Sequence, residues 1–215
     1  MFKPDEREYR NFASFNVETR EENNEQRKIV EGYASTFEEY VLRDFGDEVW
    51  TERIEPTAFD NADMSDVVFL RDHTGVVFAR TKNNTLSVMP DSKGLFTRAN
   101  LSSRTSAREM YEEIETGLYP QMSFGFVVGD QRFEEEIIGE KRVIHRIIQS
   151  VKKCFDVSAV CRPANPTTEI GVATRSAFDG GIEELRAERL RVEKEAQEAE
   201  RQRLALKLKL EELQK

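Results

Sequence analysis

The chain has 215 residues, with 41 Asp and Glu against 32 Lys and Arg, a net charge of −9, and 14 Phe. That length holds one mid-sized domain with an appendage or two very small ones, and the acidic balance argues against bulk nucleic-acid binding. No apolar run approaches the roughly 18 residues of a membrane span, and two cysteines make neither a disulfide framework nor a Cys-rich zinc site.

The N-terminus, Met1-Phe2-Lys3-Pro4-Asp5-Glu6-Arg7, is charged where a signal peptide needs an apolar stretch. Residues 1–28 are polar with mixed charge and are expected to form a flexible arm. The body, 29–175, reads as mostly strands. Period-two patterning and turn residues predict strands at 29–36, 67–70, 76–80, 85–89 and 94–101. One helix follows: Ser106 and Glu109 have capping-box spacing, Met110, Ile114 and Leu118 keep the helical period, and Gly117 marks the end. Strands are then predicted at 121–128, 131–138, 143–149 and 151–160. Cys154 and Cys161 stand seven apart on or beside the last strand, so they should point to opposite faces and stay unpaired. A reducing compartment fits that usage. Many short strands with one or two helices suggest a closed or nearly closed barrel.

Asp179-Gly180-Gly181 makes 176–181 read as a hinge. From Gly181 onward nine acidic and nine basic residues alternate without proline, and eight of the ten heptad seam positions from Ile182 to Leu213 are apolar. That narrow seam predicts an amphipathic helix over 182–215, suited to a coiled-coil partner. A merely solvated charged helix is the plainer alternative.

Three places hold candidate chemistry. His73 lies in Leu70-Arg71-Asp72-His73-Thr74-Gly75, just past an apolar strand; taken alone it is as ordinary as any turn histidine. In Met122-Ser123-Phe124-Gly125-Phe126, alternation puts the apolar side chains on one face and Ser123 with Gly125 on the other, with room beside the hydroxyl. Close packing at Gly125 explains the same pattern. In Phe155-Asp156-Val157-Ser158-Ala159, Asp156 and Ser158 share the polar face. An acid in an apolar strand needs a partner, either an imidazole or one of Lys152 and Lys153. Ser158 lacks the neighbouring glycine and reads as a decoy nucleophile. Together these residues allow Ser123 to attack a carbonyl, His73 to take its proton and Asp156 to orient the imidazole. No Gly-x-Ser-x-Gly elbow and no phosphate-cradling loop is present, and two histidines without an acidic ligand cluster do not suggest catalytic zinc.

The ordered succession Glu31-Gly32-Tyr33-Ala34-Ser35-Thr36-Phe37, Ile54-Glu55-Pro56-Thr57-Ala58-Phe59, Asp72-His73, Lys93-Gly94-Leu95, Met122-Ser123-Phe124-Gly125-Phe126, Asp156-Val157-Ser158 and Pro163-Ala164-Asn165-Pro166 resembles the prohead proteases of tailed bacteriophages. It runs over about residues 29–172. The resemblance departs at Thr57, where the family pattern has glycine. It implies a serine endopeptidase of capsid maturation related to herpesvirus assemblins, mainly β with helices (α+β), with a barrel-like body.

Carried over, His73 matches the family histidine and Ser123 the family serine. Asp156 is the preferred third member, and His145 is its rival, because assemblins use a second histidine. Arg162 matches the region where assemblin arginines help present an oxyanion-stabilising amide. The resemblance further implies cleavage of capsid protein and scaffold segments inside the procapsid in the host cytoplasm, with self-cleavage and no metal or organic cofactor. The tail is expected to pair with scaffold helices or another copy. The competing reading is an inactive scaffold or assembly chaperone that keeps the protease fold and works through its coiled coil.

Overall fold

A computed structural model describes residues 6–14, 16–22, 25–161 and 172–213. Strand runs dominate, and their pairing sorts them into three sheets. The first sheet carries the candidate chemistry. Its order is β1 (Glu8–Ser14), β10 (Gln121–Val128), β13 (Val151–Val160), β6 (Val68–Arg71), β7 (Thr74–Arg80). All its pairs are antiparallel except β13 with β6. The second sheet is β11 (Gln131–Ile138), β12 (Lys141–Ile148), β5 (Glu48–Ile54), β4 (Tyr40–Asp44), and the third is β2 (Asn16–Glu22), β3 (Glu25–Thr36), β9 (Gly94–Asn100), β8 (Leu86–Pro90).

The nine predicted strands correspond to β3, β6–β9 and β10–β13. Four others were not expected. β1 and β2 occupy the segment read as a flexible arm, which is thereby corrected, and β4 and β5 precede the first apolar strand of the body. The reason is chemical. Glu8 and Arg10 of β1 and Glu52 of β5 are buried, so β1 and β5 lack the apolar-polar alternation that marks an ordinary half-buried strand.

The barrel expectation is also corrected. Among the described residues the sheets remain open, ending at β1 and β7, β11 and β4, and β2 and β8. After β7 the chain passes through a short 3₁₀ turn, Thr81–Asn83, into β8, which pairs with β9 instead of closing back on β7. Alternation specifies strands, whereas closure depends on which edges meet.

The main core lies where the apolar faces of β10 and β13 meet β3, β9 and the first helix. It includes Met122, Phe124, Phe126, Val157, Ala159, Val30, Leu95 and Ala99. Phe124 and Phe126 stack with centroids 4.4 Å apart. Helix α1 (Thr105–Glu115) contributes Ala107, Met110, Tyr111 and Ile114 at helical spacing. Its N-cap is Arg104 with no side-chain cap, so the expected Ser106–Glu109 box does not form; Ser106 already lies inside the first turn. At the other end Gly117 adopts φ 79°, the left-handed conformation that stops a helix cheaply only at glycine.

Helix α2 runs unbroken over Val172–Leu213. The predicted hinge at 176–181 is therefore helical, a further correction. Phe178 is fully buried and stacks on Trp50 with centroids 4.4 Å apart, alongside Ile182, Leu42 and Ile144. A Cβ on Gly181 would lie 2.3 Å from the Phe133 ring, so glycine lets the helix approach β11. Packing outweighs the ~1 kcal/mol that each glycine costs a helix. Ile182 and Leu185, the first two seam positions, pack on the body and not on a partner helix. Farther on, Leu190, Val192, Leu204 and Leu206 are each more than half exposed.

Candidate active site

The first sheet assembles the site from three neighbouring strands and a turn. In β10, Ser123 pairs with Ser158 of β13, and Gly125 pairs with Asp156. Next to the Gly125–Asp156 pair, β13 carries a bulge: Phe126 pairs with Cys154, which leaves Phe155 as the extra residue. The bulge reverses the alternation locally. Cys154 points into the core, where burial pushes its thiol pKa up, while Asp156 two residues later faces the site. Both cysteines are free.

His73 arrives from the β6–β7 hairpin. Arg71 pairs with Thr74, so Asp72 and His73 form a two-residue loop, with φ 45° and 59°. Positive φ at both central residues is the hairpin geometry that matches strand twist, normally supplied by Asn-Gly. Histidine and aspartate tolerate it better than most side chains. The corner is tied to the end of β13: the Asp72 N–H donates to the Ala159 carbonyl at 3.0 Å, and Asp72 Oδ1 accepts from the Cys161 N–H at 3.2 Å. These bonds hold the imidazole above β13 and β10.

His73 Nδ1 lies 2.5 Å from Asp156 Oδ1, and His73 Nε2 lies 2.6 Å from Ser123 Oγ. An ionised carboxylate only accepts hydrogen bonds, so Nδ1 carries the proton of the neutral ring and Nε2 is free to accept from the serine hydroxyl. Asp156 Oδ1 also accepts from Ser158 Oγ at 2.8 Å. Among the described residues Oδ2 accepts no hydrogen bond, and the Arg7 guanidinium stands 3.8 Å from it. Gly125 is required beneath this carboxylate, since a Cβ there would come within 2.4 Å of Asp156 Oδ2 and 2.9 Å of the Tyr9 ring. The arrangement is chemically able to deprotonate a hydroxyl as it attacks a carbonyl.

A family model described as caudovirus prohead serine protease matches residues 15–180. The chain belongs to that family. No curated protein and no solved structure gives a significant match. Membership makes this prohead protease relative a serine peptidase at the family level, of the class that matures capsids.

Of the other sequence candidates, only Ser158 joins this cluster among the described residues. His145 sits on β12 in the second sheet, with Nδ1 2.6 Å from Glu39 Oε1 and 2.9 Å from Thr51 Oγ1. There it lines a separate cleft with Glu39, Arg53 and Glu134 to Glu136. Arg162 falls within 162–171, outside the described residues. Lys153 is engaged by Asp63 at 2.7 Å, leaving Asp156 to the imidazole. Ser158, which the sequence marks as a decoy, buttresses Asp156.

Sequence reasoning did not include Arg7 and Tyr9 of the N-terminal segment. Tyr9 lays its ring against His73, centroids 4.2 Å apart, and Arg7 stacks over Phe155 at 3.8 Å. The alternation Arg7, Tyr9 against Glu8, Arg10 was the available signal: one pair faces the site, the other a buried charge cluster. No helix among the described residues is long and apolar enough to cross a membrane.

Proposed function

We propose that the chain is a serine endopeptidase that cuts capsid protein and scaffold segments inside the procapsid. In this reading Ser123 Oγ attacks the scissile carbonyl carbon while its proton passes to His73 Nε2. Asp156 holds the ring in the productive tautomer and stabilises the imidazolium. The same proton then goes to the leaving amine, releasing one product and leaving an acyl-serine. Water attacks the ester with His73 again as base, and the serine proton is restored. The observation that carries the reading is the pair of contacts on one imidazole, 2.5 Å to a carboxylate and 2.6 Å to a hydroxyl, from residues 83 and 50 positions away.

Self-cleavage belongs to the same proposal, as does coiled-coil association of α2 beyond its docked part. The exposed Val192 and Leu206, both on the seam, favour it. Co-expression with the capsid protein of the same virus tests the enzyme reading. The native chain should shorten the capsid protein, and Ser123→Ala should leave it full length. Equal processing by both would move the nucleophile elsewhere, and no processing by either would leave an assembly factor.

A further inference from the structure

Ser123 is wholly buried, Asp156 is 1 % exposed, and the His73 side chain is 15 % exposed. A scissile carbonyl has to come within about 3–3.5 Å of the attacking oxygen. A fully buried Ser123 leaves no place for it, so some element must move before a peptide is cut.

We propose that β1 is a built-in mask, a self-strand seated on the edge of β10 that an extended substrate takes when the site opens. The proposal rests on the hydrolase reading above. Four observations single out β1. It is the edge strand of the first sheet, antiparallel to β10, with Asn11 directly opposite Ser123. Edge strands are the cheapest to release and the natural place for an added peptide strand. From it Tyr9 covers His73, and Arg7, the residue just before it, reaches Asp156 and Phe155. It also lies before residue 15, where the match to the family begins.

The anchor of β1 is built to let go. Glu8 and Arg10 point away from the site into a cluster with Glu52 of β5 and Arg146 of β12. Arg10 bonds Glu52 at 2.5 and 2.7 Å, and Arg146 bonds Glu8 at 2.7 Å through each of two nitrogens. The cluster divides into two neutral pairs. Glu8 and Arg10 touch at 2.6 Å and leave together. Glu52 and Arg146, 2.8 Å apart, stay with Tyr40 and with Gln131, 2.7 Å from Arg146 Nε. Release therefore strands no buried charge, the outcome that would cost most. An apolar anchor would instead expose greasy surface on both halves.

The test measures the rate at which a peptidyl fluorophosphonate labels Ser123, followed by intact mass, in the full chain. Tyr9→Ala removes the ring over His73 at a partly exposed position, and Glu8→Ala with Arg10→Ala loosens the anchor without unbalancing charge. Both should label about tenfold faster or more than the native chain, because the reactive fraction scales with the open population. Hydrogen exchange at β1 amides should rise when the native chain is labelled, as the probe takes the edge. Unchanged or slower labelling of Tyr9→Ala, or β1 amides that stay protected in the labelled protein, overturns the mask. Failure of every variant to label, with identical capsid processing by Ser123→Ala, would instead remove the hydrolase reading.

Discussion

At the scale of single residues, Asp156 occupies a position few carboxylates share. It is almost fully buried, and among the described residues the side-chain hydrogen bonds that fix it converge on Oδ1, from His73 and Ser158. Replacing it by asparagine keeps the shape but removes the negative charge that stabilises the imidazolium, and offers the ring an amide N–H that favours the wrong tautomer. On the proposed mechanism, Asp156→Asn lowers kcat by about 10⁴-fold, the loss known for such orienting carboxylates, with thermal unfolding little changed; steady-state cleavage of a peptide substrate measures it. Gly125→Ala works from below. The added methyl meets Asp156 Oδ2 and the Tyr9 ring at distances that real contacts do not show, so the carboxylate must shift. The expected result is a fall in kcat that exceeds any change in KM, because the shift disturbs the orientation of the base and not peptide contacts. Ser123, His73 and Asp156 were each legible in the sequence, on polar faces or in a turn. That His145 belongs to another sheet was not, since a β-strand histidine shows nothing of which sheet it joins.

At the scale of elements, the docking of α2 decides what the tail has left to offer. Phe178 fills a buried site against Trp50, the chain's single tryptophan. Phe178→Ala should destabilise the protein by about 3–5 kcal/mol and shift the Trp50 fluorescence to longer wavelength, as water reaches the indole. Emission unchanged from the native chain would mean that the helix does not pack there in solution. The glycines that suggest a hinge serve the packing instead, since Gly181 makes room for the Phe133 ring. Local composition does favour a break at this point, and the apolar contacts of Ala177, Phe178 and Ile182 override it. The strands β3 and β6 to β13 were visible because one face of each meets the core or a turn residue bounds it. β1 was hidden because its inward residues Glu8 and Arg10 are charged, and β5 because four successive residues, Val49 to Glu52, are buried and leave no alternation.

At the scale of the whole molecule, the Glu8–Arg10–Glu52–Arg146 cluster joins the first sheet to the second, and Thr174 Oγ1 donates to Glu8 at 2.9 Å to bring in the start of α2. Burial by itself would raise both glutamate pKa values, but Arg146 and Arg10 outweigh it and hold both carboxyls below the ordinary range. Folded-state values below the unfolded ones mean stability that is complete above the ordinary Glu pKa of about 4.3 and is lost as pH falls through the folded values. The melting temperature should be level above about pH 5 and drop steeply in more acid solution. Glu52→Gln should start lower and respond to acid less steeply. Arg146→Ala, which leaves two buried carboxylates to share the one guanidinium of Arg10, should cost about 3–5 kcal/mol in denaturant unfolding at neutral pH.

The amino-acid sequence by itself determined the apolar strands of the body, the single short helix before β10, the long charged tail and the candidates Ser123 and Asp156 on strands and His73 beside a turn. Each of these is a local property, set by the spacing of side chains along a few turns or pleats. Only the tertiary structure decided that the N-terminal segment is a strand over the site, that the sheets stay open, and that a bulge at Phe155 turns Cys154 inward and Asp156 toward His73. Those outcomes depend on partners far away in the chain. A charge is buried only if its opposite arrives from another strand, and a face is assigned only when the register of its neighbours is known.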